Sequence, residues 1–472
     1  MLLYLTKQLC KRSGKKRFFS SVADINPNEA NDFFDIPTPT TIPFIGSRLS
    51  LWQALSTQRL HEFVDNKHKK LGPIYRDKLG PISGIFVADS EAFKTIFSQE
   101  GRYPKHIIPL PWIIFNNEFK YSRGLFFMDG EEWLPCRTKM NKLLLKGDLK
   151  WTEACCNIVI ENFMNQLQDG EIENLDEKIY STFLEVIVSV SMGSKSYLKH
   201  RKNITPLVQH LAGNVIKVFD KTMKVEKWNV NFAFKWGIPQ WKSFEMSMRK
   251  SLNFTYSLVD ELMKICDDES LLVKMREEGI NNDSIKAIVA DMVLAAADTT
   301  AYTMQWMLYL VAKNKEVQEK IRTELSIPNS SYAKNVLRET LRLYPVAAFI
   351  TRFMPQDCIL SGYKIPKETP ISLSIYTTGR QEKYFKDASK FVPERWDREQ
   401  DHQVTIAASL PFGLGVRSCI GKKLAEYELQ KTLTEIVKKF RVELCNKTDI
   451  KMRMRMVAVP SERLRFKFEK IC

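Results

Sequence analysis

Phe412-Gly413-Leu414-Gly415-Val416-Arg417-Ser418-Cys419-Ile420-Gly421 presents one cysteine on a glycine-hinged turn, with an arginine two residues ahead of it. Gly415 permits a backbone with positive φ, or a close approach that a Cβ would block, and Gly421 keeps the start of the next segment flat. Leu424, Leu429, Leu433, Ile436 and Phe440 follow at mostly helical spacing. Cys419 is therefore expected just before a helix, whose positive end lowers the pKa of a thiol and readies the sulfur to ligate a metal. A lone cysteine in such a loop also reads as a buried free thiol. The spacing of the whole stretch is what favours the ligand.

A thiolate on iron donates more electron density than an imidazole, and in a haem this favours cleavage of the O–O bond. The ten residues satisfy F-x-x-G-x-R-x-C-x-G at every specified position, and the stretch resembles the haem-ligand loop of the cytochrome P450 family. Glu339-Thr340-Leu341-Arg342 matches that family's E-x-x-R, and Phe391-Val392-Pro393-Glu394-Arg395-Trp396 matches its aromatic-Pro-x-Arg segment. An i,i+3 pair on a helix surface is worth only ~0.2–0.5 kcal/mol. The resemblance implies more, a buried structural network of Glu339, Arg342 and Arg395. It also implies haem b (iron protoporphyrin IX) with Cys419 as the metal ligand. Trp133 and Arg137, which match W-x-x-x-R, would hold the cofactor together with Arg352, Phe412, Arg417 and Gly421. Pro135 stands between Trp133 and Arg137, so their helix is expected to begin close to Trp133.

Residues 282–314 contain no proline or glycine and open with Asn282, Asp283 and Ser284 as cap candidates, which predicts one long helix. In its middle, Ala295-Ala296-Ala297-Asp298-Thr299-Thr300 sets an acid and two hydroxyls beside three very small residues. Small residues let a flat ligand approach the backbone. A threonine hydroxyl can bond the carbonyl one turn back and distort the ladder. The motif resembles the family's A-G-x-D-T-T, which places Asp298 and Thr299 as the catalytic proton-delivery pair. Ala296 stands where the family has glycine, and its methyl narrows the groove in which oxygen would bind. That departure keeps open a peroxide-rearranging haem-thiolate enzyme that needs no external electron donor, and a non-catalytic haem or lipid binder.

The motifs run from Trp133 to Cys419 and must converge on one ligand, so residues 24–472 read as a single catalytic domain despite a length of 472 residues. The expected fold is mainly α with a smaller β region (α+β), the haem lying between the long central helix and the cysteine loop. Arg463–Glu469 and Met452–Met456 alternate like half-buried strands. Pro37, Pro39 and Pro43 mark an irregular lead into the domain. Nine cysteines form no C-x-x-C pair and six histidines do not cluster, which argues against zinc or an intrinsic iron–sulfur centre.

Residues 1–23 carry Lys7, Lys11, Arg12, Lys15, Lys16 and Arg17 with no acid, the composition of a mitochondrial transit peptide. The formal charge is +16, and these six account for part of it, leaving +10 for the remainder. No zinc-finger or RNA-binding signature accompanies that basicity, so an acidic protein partner and a membrane surface are expected rather than nucleic acid. Lys334, Arg338, Lys422 and Lys423 match basic positions through which mitochondrial members of the family receive a [2Fe-2S] ferredoxin, itself reduced by a reductase. Trp228, Phe232, Phe234, Trp236, Trp241 and Phe244, interleaved with lysines, suit peripheral contact with a membrane. The whole implies a matrix-side, inner-membrane-attached monooxygenase that inserts one atom of O2 into a lipophilic, sterol-like substrate.

Overall fold

The computed structural model describes residues 30–39, 54, 56, 58–79, 82–327, 331–397 and 405–471, so the basic segment 1–23 lies outside the described residues. In chain order the main elements are β1 (Ile74–Leu79), β2 (Ile82–Val87), α1 (Ser90–Gln99), α2 (Leu110–Phe119), α3 (Gly130–Asn141), α4 (Lys150–Met164), α5 (Leu175–Met192), α6 (Ser194–Glu226), α7 (Val230–Lys235), α8 (Pro239–Ile265) and α9 (Asn282–Lys313). Then follow α10 (Tyr332–Leu343), β3 (Phe349–Phe353), β4 (Pro370–Ser374), α11 (Lys422–Lys439), β5 (Phe440–Leu444), β6 (Met452–Arg455), β7 (Val457–Pro460) and β8 (Phe466–Lys470). The expected helical body with a smaller β region is the architecture found.

The predicted central helix forms as α9, unbroken over 32 residues. Its cap is Asn281, one residue before the expected candidates, whose Oδ1 accepts the Ser284 N–H at 2.8 Å. Ile285, Ile288, Leu294, Trp306 and Leu310 are buried on different faces. A helix apolar on most of its circumference has to be surrounded, and α5, α8, α10 and α11 all pack against α9.

The largest sheet has the order β1-β2-β4-β3, with the β2–β4 pair parallel and the other two antiparallel. A Cβ on Gly84 would sit 2.4 Å from the Pro370 carbonyl oxygen, so the β2–β4 approach requires glycine. Arg352 lies in β3 opposite Ile371. Near the C-terminus, Met452 and Met454 are buried in β6 while Arg453 points out. The last strand begins only at Phe466. Arg463 instead reaches the start of α5, where it donates to Asn174, Asp176 and Glu177.

Helix α3 begins at Gly130, three residues before Trp133 and earlier than Pro135 suggested. The proline falls in the second turn, where its ring nitrogen leaves the Glu131 carbonyl without its helical donor. Both residues lie on the exposed side of α3, so water replaces that bond. Trp133 and Arg137 face inward.

The Glu339 carboxylate, with 0% side-chain exposure, organises the segment that leads to the cysteine loop. Its Oε1 accepts from Arg342 Nη2 at 2.7 Å, Arg395 Nε at 2.8 Å and Val392 N at 3.0 Å. Its Oε2 accepts from Arg342 Nε and from the Trp396 indole, both at 2.9 Å. The remaining Arg342 donors satisfy the carbonyls of Gly379, Ala388 and Lys390. Removing one partner strands buried charge, at a cost of ~3–5 kcal/mol. Glu339→Ala is expected to lower stability by that order, read from the midpoint of denaturant unfolding, with little or no holoprotein recovered at 37 °C.

Candidate active site

The cysteine turn is built from its own backbone. Gly413 and Gly415 take φ of +67° and +80°, and the Cys419 N–H donates to the Phe412 carbonyl at 2.8 Å. Helix α11 starts at Lys422, as expected, and its Ala425 N–H bonds the Gly421 carbonyl at 2.9 Å. A Cβ on Gly421 would lie 4.0 Å from the Cys419 sulfur, so the glycine keeps that side of the thiol clear. Cys419 keeps accessible surface although protein encloses the turn, while Phe412 beside it is partly buried against the main core.

The amide at the helix end pulls the Cys419 pKa down as expected, but it is outweighed. Burial raises it above the ordinary thiol value, against the opposing pull of the Gly421 amide, Arg137 and Lys422. Desolvating a full charge outweighs the partial charge of a helix terminus.

Three arginines meet around this turn. Arg137 donates through Nη2 to the Ser418 carbonyl, next to the cysteine, while its buried Nε has no partner among the described residues. Arg417 lies 4.2 Å from the centroid of the Trp133 ring and donates to the Pro104 carbonyl (2.6 Å), the Met128 carbonyl (2.7 Å) and Asp129 (2.8 Å). Arg352 donates through Nε to Glu100 at 2.7 Å and through Nη1 to the Thr351 carbonyl at 2.9 Å. Among the described residues these bonds leave Nη1 of Arg417 and Nη2 of Arg352 to another acceptor.

His106 joins the cluster, a residue no sequence motif singles out. Both ring nitrogens are buried and unpartnered among the described residues. Burial, then the charges of Arg417 and Arg352, push its pKa down to about 3, so the ring is neutral and carries one free N–H. A sequestered set of cationic and neutral donors fits the carboxylates of a bound group, and the accessible thiol beside them fits its metal. The donor chemistry is that of a haem with two propionates.

On α9, Ala295 is exposed and Ala296 and Thr299 are partly exposed, within a helix otherwise deeply buried. Thr299 Oγ1 donates to the Ala295 carbonyl at 2.9 Å, with a longer 3.4 Å contact to that of Ala296. The back-bond expected of Thr299 is present, but the helix stays α through it. Asp298 points elsewhere, 5% exposed, with its Oδ1 accepting the Tyr180 hydroxyl from α5. Burial pushes the Asp298 carboxyl up to about 6 against that hydrogen bond.

The wall between α2 and α3 is clamped to α9 by a second acid. Asp291 Oδ2 accepts the Phe126 N–H at 2.7 Å, and a Cβ on Gly124 would lie 2.4 Å from the Asp291 Cγ. Phe126 in turn contacts the His106 ring with centroids 5.1 Å apart.

A glycine-hinged cysteine turn, its flanking arginines and an accessible small-residue step on a buried helix thus occur in one chain. A family model described as Cytochrome P450 matches residues 36–468. The chain belongs to the cytochrome P450 family. This makes it a member of a haem-thiolate monooxygenase family. Among its relatives, the protein named Cytochrome P450 315a1, mitochondrial, of Drosophila melanogaster is 32% identical over 98% of this chain and 93% of its own length. The mitochondrial 1,25-dihydroxyvitamin D(3) 24-hydroxylase of Mus musculus is 25% identical over 93% of this chain and 90% of its own. The mitochondrial cholesterol side-chain cleavage enzyme of Homo sapiens is 24% identical over 94% and 91%.

Arg338, Lys422 and Lys423 are exposed and Lys334 is partly so, on the packed helices α10 and α11. Lys422 lies 4.0 Å from Glu426. On the α6–α8 side the aromatic run divides. Trp241 and Phe244 are buried, whereas Trp228, Phe232 and Trp236 are 50%, 49% and 68% exposed. No helix among the described residues is long and apolar enough to cross a membrane.

Sequence reasoning also missed Glu428, fully buried on α11, whose carboxyl bonds Thr300 and is pushed up to about 8 by burial. The folded state therefore holds a proton that the unfolded chain releases above about 4.5. Stability from the neutral acid is full below that value and is lost as pH rises toward about 8. Glu428→Gln should match the native protein at pH 5 and exceed it progressively up to pH 8, measured as the gap between their denaturation midpoints.

Proposed function

We propose that this P450 is a mitochondrial, ferredoxin-driven monooxygenase that hydroxylates a sterol-like lipid. The observation that carries the reading is the accessible Cys419 turn, ringed by Arg137, Arg352 and Arg417, in the same core as the Ala295–Thr299 step of α9. When bound, haem b supplies the oxygen-activating chemistry.

Cys419 holds the metal of that group, and coordination deprotonates a thiol outright, offsetting the burial that raises its pKa. Arg137, Arg352 and Arg417 hold its carboxylates by charge-assisted hydrogen bonds, joined by the neutral N–H of His106. Trp133 stacks under Arg417 and keeps it in place, and Phe412 and Gly421 flank the ligand turn. Thr299 offers its hydroxyl oxygen as an acceptor, because its own proton is given to the Ala295 carbonyl. Asp298, with a pKa of about 6, can both take and give a proton near neutrality. Its bond from Tyr180 fixes the rotamer.

Relatives named as acting on 1,25-dihydroxyvitamin D(3) and on cholesterol support the lipid class. Lys334, Arg338, Lys422 and Lys423 suit the acidic face of a [2Fe-2S] ferredoxin by complementary potential. Trp228, Phe232 and Trp236 suit shallow insertion into the matrix face of the inner membrane, with residues 1–23 as the transit peptide and 24–472 as the enzyme.

The first test is the spectrum of the dithionite-reduced protein with carbon monoxide. A Soret band at the long-wavelength thiolate position is expected, and its absence from Cys419→Ser assigns the ligand. Reconstitution with ferredoxin, its reductase and NADPH should then hydroxylate a member of a sterol panel, and Thr299→Ala should divert at least tenfold more of the electrons to hydrogen peroxide. Turnover of a lipid hydroperoxide without ferredoxin would replace this reading with peroxide rearrangement. For the membrane face, Trp228, Phe232 and Trp236 changed together to Ser should lower retention on anionic phospholipid vesicles about tenfold in a flotation assay, and unchanged retention would remove that part.

A further inference from the structure

Glu100 belongs to none of the motifs in the sequence, yet it touches the cysteine turn. It follows α1 directly, and its side chain is 3% exposed. Oε1 accepts the Val416 N–H at 2.8 Å, three residues ahead of Cys419. Oε2 accepts Arg352 Nε–H at 2.7 Å. The neighbouring Gly415 is constrained twice over. Its φ is +80°, and a Cβ there would lie 1.8 Å from Glu100 Oε1. One carboxylate thus joins three separate parts of the chain: the end of α1, the arginine of β3 and the turn that presents the thiol.

The charge of Glu100 matters as much as its bonds. Arg417 feels the positive charges of both Arg352 and Arg137, and Asp129 and Glu100 are the acids that offset them. The Glu100 carboxylate is ion-paired with Arg352 and bonded to the turn amide, so its charge acts beside the ligand turn.

We propose that Glu100 is a positioning residue for the Cys419 thiolate, fixing the Gly415–Val416 turn and the Arg352 guanidinium together and setting the electrostatic environment of the metal that Cys419 would hold. The inference rests on Cys419 being the metal ligand. Loss of its charge leaves the arginine cluster less compensated, which favours the reduced metal. Loss of its bonds frees the turn and with it the sulfur.

The test compares haem-loaded wild type, Glu100→Gln, Glu100→Ala and Gly415→Ala in three measurements: the lifetime of the long-wavelength carbon monoxide band at a fixed mild temperature, the reduction potential, and the thermal midpoint by circular dichroism. Glu100→Gln keeps an acceptor for Val416 and should retain the band while its reduction potential rises. Glu100→Ala and Gly415→Ala, which disturb the same contact from opposite sides, should lose the band at least tenfold faster than wild type. A lower thermal midpoint with unchanged potential and unchanged band lifetime would show Glu100 to be ordinary core structure and overturn the proposal. If Glu100→Ala and Gly415→Ala fail to fold, an unaltered potential in Glu100→Gln overturns it alone. A wild type without the band would remove the ligand assignment itself, a result distinct from a normal wild type with indifferent variants.

Discussion

A carboxylate without access to water must be matched donor for donor, and Glu339 shows how much structure that requirement can organise. Two arginines, an indole and a main-chain amide converge on its two oxygens, and the spare arginine donors go to carbonyls of residues 379–390. Residues 379–397 form little regular structure, so this network replaces the backbone ladder as the source of order. Charge-assisted bonds in a dry setting are stronger and more directional than neutral ones. That is how an irregular stretch can fix the approach to the cysteine turn.

The same economy recurs at the site. Arg137 and Arg417 each satisfy a main-chain carbonyl near the turn, and Arg352 pairs with Glu100 while keeping a donor uncommitted. The arginines are held before any ligand meets them, which lowers the entropy lost in binding a carboxylated group. Repulsion among three neighbouring guanidinium groups is offset because Glu100 pairs with Arg352 and Asp129 with Arg417. Asp298, Asp291 and Glu428 follow a different rule. Each has its pKa raised by desolvation with no cation beside it to oppose the shift.

Features with a local origin were legible in the sequence. The unbroken apolar run gave α9 and the glycines around Cys419 gave the turn, whereas the buried network of Glu339, Arg342 and Arg395 was expected from the family resemblance and not from the spacing itself. What the sequence did not reveal depends on contacts between distant segments. Glu100 and Val416 are 316 positions apart, Tyr180 and Asp298 are 118 apart, and nothing near any of them marks the pairing. His106 carries no signal either, since its role follows from the two arginines that surround it. The early start of α3 and the raised thiol pKa were misjudged for a shared reason. Local rules for proline and helix ends neglect the wider surroundings, which leave a carbonyl on an exposed face in one case and enclose the cysteine turn with protein in the other.

The second half of the loop between α2 and α3 is fastened twice, through Phe126 to Asp291 of the central helix and through Met128 to Arg417 of the cysteine turn. The Gly124 contact leaves no slack where it crosses α9. Such a loop cannot be lengthened or rerouted without disturbing both the core and the ligand turn. Change in this wall would therefore come by exchanging side chains on a fixed backbone, in small graded steps, rather than by remodelling the loop.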